Sequence, residues 1–125
     1  AMIDHGNGTV TDERTGLIWE QGLCPVSYTW ADATTVRIAE LNVAALGGHT
    51  DWRLPTRTEL VSLVDDTRFH PACDPLLACQ SDFYWSATTY QNFPSYAWFV
   101  SFFGGYVGAV SKDSDVYVRG VRGGS

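Results

Sequence analysis

Residues 51–60, DWRLPTRTEL, hold the densest group of chemically capable side chains in the sequence: two carboxylates, two guanidinium groups and an indole. Such a group can bind a charged ligand, or it can form ion pairs that hold a scaffold. Thr56 and Glu59 stand in the T-x-x-E relation of a capping box, in which each side chain accepts a hydrogen bond from the backbone N–H of the other residue. Part of the charge therefore already has a structural role at the start of a helix.

The other side chains of this segment also favour a scaffold. Trp52 and Leu54 are expected to be buried ahead of the helix, where they begin the core. Asp51 and Arg53 point to one side if the segment is extended, and they are available there for an ion pair. We interpret residues 51–60 as a marker of the fold and not as an active site.

Histidine chemistry is not organised into a recognisable catalytic motif. His5, His49 and His70 lie far apart, and none of them belongs to an HExxH, a GxSxG or a Cys-His signature. The sequence therefore predicts that the protein is not an enzyme.

Cysteines and aspartates offer the candidate metal ligands. Cys73 and Cys79 in CDPLLAC have the spacing of a closed surface loop, which predicts a disulfide. Alternatively, both could join Cys24 and His70 in a zinc site, although the tight Cys-x2-4-Cys knuckle typical of such sites is absent. The aspartates of KDSD (112–115) could hold Ca²⁺, but a solvated turn is favoured. We predict no metal and no cofactor.

The charge balance excludes several classes of partner. The 125 residues carry 8 Lys+Arg against 14 Asp+Glu, a net charge of -6, and the basic residues form neither a stripe nor a cluster. Nucleic acid and anionic membrane surfaces are therefore not expected as partners. No apolar run approaches the roughly 20 residues of a transmembrane helix, so we do not expect membrane insertion. Length and composition predict one domain over residues 1–125.

The first half of the chain predicts a hairpin and two helices. Residues 7–19 read as a β-hairpin with its turn at DERTG. Residues 30–46 have a helical period, with Thr29 as N-cap and the glycines of 47–48 as the stop. A second helix begins at the capping box. The predicted apolar faces are Trp30, Thr34, Ile38, Leu41 and Ala45 for the first helix, and Leu60, Leu63 and Val64 for the second.

The second half predicts loop and then sheet. Residues 65–82 lack a sustained period and read as a long irregular connection. From Phe83 onward, FYWSATTY, YAWFVSFF, YVGAV and VYVRGVRG predict four short antiparallel strands, the last of them central. Alternation in the second of these puts Trp98, Val100 and Phe102 toward the core.

The arginines of the C-terminal ending are expected to be structural. Arg119 or Arg122 is predicted to form an interior ion pair with Asp51 or Glu59. Removing one partner of such a buried pair costs on the order of 3 to 5 kcal/mol.

Aromatic and hydroxyl side chains are concentrated between residues 90 and 114. Phe99 is expected to be buried, whereas the others fit two interpretations. The rings either fill a second core layer or an oligomer interface, or they form a binding surface, on which Tyr and Phe bury area at low entropy cost while Ser and Asn adapt their hydrogen bonds. The second interpretation assigns ligand binding to Tyr90, Asn92, Phe93, Ser95, Tyr96, Ser101, Phe103, Tyr106, Ser111, Asp113 and Ser114.

Six motifs together resemble one known domain family. In chain order they are TGLIW, TWADA, GGHTDWRLPTRTELVSLVD, YWSATTY, AWFVSFFGGYV and YVRGVRGG. They are similar to the family named for the C-terminal domain of the Legionella collagen-like adhesin, from about Gly8 to Gly124. The resemblance implies an α+β, C-type-lectin-like fold shared with formylglycine-generating enzymes, with two helices packed on short, twisted, mostly antiparallel sheets and long loops.

The resemblance also carries expectations about chemistry and disulfides. Formylglycine-generating relatives use cysteines or a metal late in the chain, and no cysteine follows Cys79 here. Family members often pair a cysteine in the first helix with one in the C-terminal ending. Arg37 and Gly120 hold those two places in this sequence, so that disulfide is lost.

Residues and resemblance together predict a non-enzymatic ligand-binding module outside the cell, on a cell surface or on a phage particle. Relatives with this fold serve as variable proteins of diversity-generating retroelements, and the leading hypothesis is such a protein, hypermutated within residues 84–122 and binding a protein or a surface ligand. The alternatives are a fixed-specificity adhesin or lectin that binds glycans, and an oligomerisation or structural domain. A net charge of -6 and a single lysine, Lys112, argue against a polyanionic glycosaminoglycan.

Overall fold

Two small antiparallel sheets form the framework of the molecule. The computed structural model describes residues 2–22, 25–65, 67–68, 71–74 and 76–123. The first sheet has the order β1 (Met2–Asp4), β2 (Thr9–Asp12), β3 (Leu17–Glu20) and β7 (Val121–Gly123), and the second has the order β4 (Phe83–Thr89), β5 (Tyr96–Ser101) and β6 (Val107–Ser111). A long helix and a short helix lie between β3 and β4 in the chain. The predicted α+β class is therefore confirmed.

The N-terminal hairpin is confirmed. Strands β2 and β3 pair from Thr9 opposite Glu20 to Asp12 opposite Leu17. The Asp12 carboxylate accepts a hydrogen bond from the backbone N–H of Arg14 at 3.0 Å, which closes the turn between them. Strand β1 was not predicted; it adds to the outer edge of β2.

The long helix begins where predicted, but it winds differently. Thr29 accepts a hydrogen bond from the backbone N–H of Asp32 as N-cap. The helix then runs through an α-helical turn Trp30–Asp32, a π-helical segment Ala33–Ile38 and an α-helical segment Ala39–Val43. It ends before the predicted residue 46, because Ala45 adopts a left-handed conformation with φ 49°.

The π-helical segment also corrects the predicted apolar face of this helix. Ala33, Ile38 and Leu41 are buried, whereas Thr34 is exposed. A π-helical turn contains more residues than an α-helical turn, so the residues that face the core shift along the sequence. An α-helical period therefore predicts that Thr34 faces the core, whereas the structure buries its neighbour Ala33.

The short helix, Arg57–Val61, confirms the capping box. The Thr56 hydroxyl accepts from the Glu59 N–H at 3.2 Å, and the Glu59 carboxylate accepts from the Thr56 N–H at 2.9 Å. Leu60 and Leu63 are buried, as their spacing predicts.

The core consists of two adjoining clusters of apolar side chains. One lies against the first sheet, the short helix and the loop around Cys73; the other lies against the long helix and the segment around Trp52. The first comprises Val10, Leu17, Trp19, Leu60, Leu63, Cys73, Leu77, Tyr84, Val100, Phe102 and Val121, and the second comprises Ala33, Ile38, Leu41, Trp52, Leu54, Trp85, Ala97, Val116 and Val118.

The C-terminal ending does not form the predicted central strand. Val116 and Tyr117 make only isolated bridges, to Tyr28 and Tyr84, and the chain then crosses to the first sheet. There β7 is the last strand in the order of the first sheet, antiparallel to β3, and on its other side Val121 forms an isolated bridge with Arg53. The prediction was wrong because the β-rich composition of VYVRGVRG does not reveal that this segment connects two sheets.

The predicted disulfide is confirmed. Cys73 and Cys79 are bonded and close a loop that covers the first core cluster with Leu77. This bond uses two of the sulfurs that the alternative zinc site requires. Cys24 and His70 lie outside the described residues.

Most of the charge in residues 51–60 is used within the scaffold. The Arg53 guanidinium donates to both Glu59 carboxylate oxygens, at 2.7 and 2.8 Å. These bonds hold the pKa of Glu59 below its ordinary value of 4.5. Arg122 donates to both carboxylate oxygens of Asp51, at 2.6 and 3.0 Å. The predicted Arg122–Asp51 pairing is confirmed, but it lies at the surface and not in the interior, since the Asp51 side chain is 61% exposed.

Arg119 corrects the remaining part of the ion-pair prediction. It is buried, and its guanidinium donates to the backbone carbonyls of Glu20 and Ala78, not to Asp51 or Glu59. The Glu20 carboxylate instead pairs with Arg37 and accepts from the backbone N–H of Gly120 at 3.0 Å. Arg37 and Gly120, at the two places where the resemblance implies cysteines, are thus linked through the carboxylate of Glu20.

Candidate ligand-binding site

A short loop between β4 and β5 carries Phe93, the most exposed aromatic side chain of the predicted binding region. Three main-chain hydrogen bonds fold this loop: Tyr90 N–H to the carbonyl of Tyr96 at 2.9 Å, Phe93 N–H to that of Tyr90 at 3.1 Å, and Tyr96 N–H to that of Phe93 at 2.8 Å. Because backbone groups hold the loop, its conformation does not depend on hydrogen bonds from the side chains that it displays.

Four rings contact one another on this loop and the adjoining strand; Tyr90, Phe93, Tyr96 and Trp98 are named here the loop aromatic cluster. Tyr90 stacks on Phe93 with ring centroids 6.1 Å apart and meets the edge of Trp98 at 4.9 Å. Phe93 lies 6.1 Å from Tyr96. Phe93 is 61% exposed and Tyr96 is 40% exposed, so the cluster offers apolar area to an external molecule.

A cleft of about 330 Å³ adjoins these rings. The guanidinium of Arg57 lies over the indole of Trp98, 4.5 Å from its centroid, and forms one wall. The backbone N–H of Arg57 donates to the Thr88 hydroxyl at 3.0 Å, which joins the short helix to β4 at this point. The lining residues are Arg57, Thr88, Thr89, Tyr90, Gln91, Asn92 and Trp98.

Phe99 and Tyr106 form a separate group with Phe83; these three rings are named here the edge aromatic cluster. Phe83 stacks on Phe99 at 3.9 Å, and Tyr106 meets the edges of both rings, at 6.1 and 6.3 Å. Phe99 is buried, as expected, whereas Phe103 and Tyr106 are 43% and 52% exposed.

The two aromatic clusters lie on opposite faces of the second sheet. Trp98 and Phe99 are consecutive residues of β5, and consecutive side chains of a strand point to opposite faces. Gly108 pairs with Phe99 across the sheet and leaves room for its ring, since a Cβ there would lie 2.7 Å from Phe99 Cζ. The single aromatic face of the sequence analysis is therefore two surfaces.

The polar residues that were predicted to bind a ligand also lie in different environments. Asn92 and Ser95 are exposed on the loop. The turn that holds Ser111, Asp113 and Ser114 is brought to the same loop, because the N–H of Lys112 donates to the Ser95 carbonyl at 2.9 Å. Within this turn, the Ser111 hydroxyl accepts from the Asp113 N–H at 3.3 Å.

Ser101 occupies a different environment from the other predicted residues. It is fully buried, and its hydroxyl accepts from the backbone N–H of Phe103 at 3.3 Å. Its hydroxyl is therefore not available to an external ligand.

The structure adds residues that the sequence analysis assigned elsewhere. Trp98 was expected in the core, but it is half-buried between Tyr90 and Arg57. Arg57 was treated as part of a scaffold segment. One feature of the sequence could have identified Arg57 as a site residue. Positions three and four after it hold Leu60 and Val61 and not a carboxylate, so Arg57 has no ion-pair partner at helical spacing.

The described histidines do not converge with these residues. His5 lies in the first sheet region, where its Nε2 bonds the Thr11 hydroxyl at 2.6 Å, and the ring of His49 lies 6.3 Å from that of Trp52. Among the described residues, no group of three or more His, Cys, Asp or Glu side chains could hold a metal ion. In the same part of the chain, no helix is long and apolar enough to cross a membrane.

Comparison with known proteins agrees with the resemblance seen in the motifs. A search of curated proteins found no match. A family model described as the Lcl C-terminal domain matches residues 8–122, which contain every described strand except β1 and the last residue of β7. The match supports an adhesin-like surface module. The chain belongs to the Lcl C-terminal domain family.

Proposed function

We propose that the protein is a non-enzymatic ligand-binding module, displayed at a cell surface or on a phage particle, that binds a protein or another surface ligand through the loop aromatic cluster. The family assignment supports the adhesin-like surface role. The binding face and the absence of catalysis go beyond what the family assignment supports. The proposal includes neither nucleic acid as a ligand nor insertion into a membrane.

The observation that carries this proposal is a set of exposed rings on a loop held by its own backbone. Aromatic side chains have few rotatable bonds, so they bury large contact areas at a small entropy cost. Phe93 and Tyr96 provide exposed area, while Asn92 and Ser95 provide adaptable hydrogen bonds beside them. This combination is typical of protein surfaces that recognise other macromolecules.

The leading form of the proposal is a variable protein of a diversity-generating retroelement. Main-chain hydrogen bonds close the loop, so replacement of the side chains at 91–95 leaves its backbone supported. Such a loop tolerates sequence variation while the scaffold stays constant. Sequencing the surrounding genome tests this form: a near-copy of the DNA for residues 84–122 that differs almost only at adenines is expected, beside a reverse transcriptase gene. Absence of both would contradict the retroelement role but not binding itself.

Binding is tested with two variants that differ in the face they change. Phe93→Ala/Tyr96→Ala removes rings from the loop aromatic cluster. Phe103→Ala/Tyr106→Ala is the matched control, because it removes two rings of similar exposure that lie outside the loop aromatic cluster. Each protein is coupled to fluorescent beads and measured on glycan arrays, with and without EDTA, and on a panel of bacterial and eukaryotic cells.

We expect the wild-type and control beads to bind the same surfaces and the Phe93→Ala/Tyr96→Ala beads to lose binding. Equal loss in both variants, or loss only in the control, would place binding elsewhere. A glycan signal that disappears in EDTA would favour the calcium-dependent lectin alternative. Light scattering of the same proteins separates binding from self-association: a dimer that only the control variant disrupts would identify the surface around Phe103 and Tyr106 as an oligomer interface.

A further inference from the structure

Among the described residues, Arg57 is the arginine whose guanidinium has no oxygen partner. No carboxylate in that part of the chain lies within ion-pair distance of this group, and the buried Arg119 donates to carbonyl oxygens. The remaining five arginines each pair with a carboxylate: Arg14, Arg37, Arg53, Arg68 and Arg122.

The position of Arg57 is nevertheless well defined. Its backbone N–H is bonded to Thr88, and its guanidinium rests on Trp98, whose ring is in turn held by the edge contact with Tyr90. A guanidinium that stacks on an aromatic face is oriented by that contact, while the N–H groups at its rim still point outward as donors. The cation is therefore oriented before any ligand arrives.

The residues that line the cleft beside this cation are otherwise neutral and able to form hydrogen bonds, and one of them, Thr89, accepts a hydrogen bond from the Lys112 ammonium at 3.1 Å. The cleft is lined by the hydroxyls of Thr88 and Thr89 and the amides of Gln91 and Asn92. Its volume of about 330 Å³ is near the lower end for ligand pockets, which suits one side chain or one small functional group. Two cations, Arg57 and Lys112, on a protein of net charge -6 do not form the extended basic surface that suits a polyanion.

We infer that this cleft binds one carboxylate of a protein ligand, the side chain of an Asp or a Glu, with Arg57 as its two-pronged donor. Guanidinium and carboxylate groups match in this planar geometry, and the bonds are charge-assisted. The rings of Phe93 and Tyr96 nearby would cover the area around this anchor, as apolar residues surround the central contacts of protein interfaces. This inference rests on the proposed function, because it names the ligand class of the same site.

A small probe tests the inference without knowledge of the natural ligand. N-acetyl-glutamate α-amide carries the carboxylate, and N-acetyl-glutamine α-amide is its neutral counterpart. Each is titrated into the ¹⁵N-labelled protein while the indole N–H of Trp98 and the Nε–H of Arg57 are followed by NMR. The variant is Arg57→Gln, and the matched control is Arg68→Gln, which removes an exposed arginine that is already paired with Asp65.

We expect saturable shifts of the Trp98 signal with the glutamate probe. The affinity should fall at least about tenfold with the glutamine probe and also in Arg57→Gln, and it should not change in Arg68→Gln. No saturable shift, equal binding of both probes, or full affinity in Arg57→Gln would overturn the inference. Tighter binding of N-acetylglucosamine 6-sulfate than of the glutamate probe would also overturn it, in favour of a sulfated sugar.

These results are distinguishable from those that test the proposed function. If the Phe93→Ala/Tyr96→Ala beads lose surface binding but the glutamate probe does not bind, the binding face stands and the carboxylate subsite fails. If the probe binds through Arg57 but surface binding survives loss of both rings, the subsite stands and the proposed function fails.

Discussion

Residues 51–60 and residues 90–98 differ in how far the scaffold uses their side chains. In the first segment, Asp51, Arg53 and Glu59 all have charged partners, and Trp52 is buried. In the second, rings and amides face outward from a loop that main-chain hydrogen bonds already close. The comparison teaches that charge density is a poor marker of a binding site, because charged groups that satisfy one another have little left to offer a ligand.

Arg57 is the exception that connects the two segments. It belongs to the first by sequence, but its guanidinium lies over Trp98 of the second. The other charged residues of 51–60 lie with their partners on the side of the first sheet. The short helix therefore supports the scaffold with one group of side chains and presents one cation to the candidate site.

The largest expected effect comes from the buried indole of the first segment. Trp52 is 3% exposed, its Nε1 donates to the Leu46 carbonyl at 3.1 Å, and it packs in the second core cluster. We expect Trp52→Ala to lower the free energy of unfolding by about 3 to 5 kcal/mol. Urea unfolding measures this, with Val43→Ala, at a position 89% exposed, as the neutral control. A loss below about 1 kcal/mol would contradict the assignment of this segment to the scaffold.

The disulfide should separate overall stability from the candidate site. The loop that the disulfide closes forms a β-bridge from Cys73 to Val64, and its Ala78 N–H donates to the Gln21 carbonyl. In the described part of the chain, no hydrogen bond joins this loop to residues 90–95. For a sequence separation of 6, we expect Cys73→Ala/Cys79→Ala to lower the free energy of unfolding by about 2 kcal/mol. Bead binding well below the melting temperature should be unchanged. Loss of binding in a folded variant would break the separation between the two regions.

Acid should weaken the first segment through Glu59. Hydrogen bonds from Arg53 lower the pKa of this carboxyl in the folded protein. The resulting stabilisation is complete above the ordinary value of 4.5 and is lost as the pH falls through the lower folded-state pKa. For a partly exposed pair, we expect a contribution of up to about 1 kcal/mol.

Urea midpoints between pH 7 and pH 3 measure this dependence. Glu59→Gln should show a smaller fall in stability over the acid range than the wild type. Asp82→Asn, at an exposed aspartate, serves as the control and should follow the wild-type curve. Identical slopes for Glu59→Gln and the wild type would mean that the Arg53–Glu59 pair does not stabilise the segment.

The smallest effect on stability is expected in the second segment. Because Phe93 and Tyr96 are 61% and 40% exposed, each alanine substitution should change the free energy of unfolding by only a few tenths of a kcal/mol. Thermal and urea unfolding of Phe93→Ala and Tyr96→Ala provide the measurement. A loss that approached the value for Trp52→Ala would show that these rings are core and would remove them from the site.

The predicted site was recovered only in part, for a reason of geometry. Composition identified residues 90–114 as aromatic and rich in hydroxyls, and the exposure of Phe93, Tyr96 and Tyr106 agrees with it. Alternation alone did not reveal that the rings belong to opposite faces, because the loop and the turn after β5 interrupt the strands. Burial of Ser101 likewise depends on the core beneath β5 and not on its own neighbours in sequence.

The amino-acid sequence by itself determined the local features of this protein: the hairpin turn, the Thr29 and Thr56 caps and the Cys73–Cys79 pairing. Each of these depends on residues within one turn or one loop, where sequence spacing is close to spatial distance. Only the tertiary structure decided that Arg122 meets Asp51 across 71 positions and that Arg57 meets Trp98. Such contacts depend on how the two sheets and the short helix pack. From the sequence alone, several arginines could pair with the same carboxylate or ring, and the packing determines which of them lies close enough.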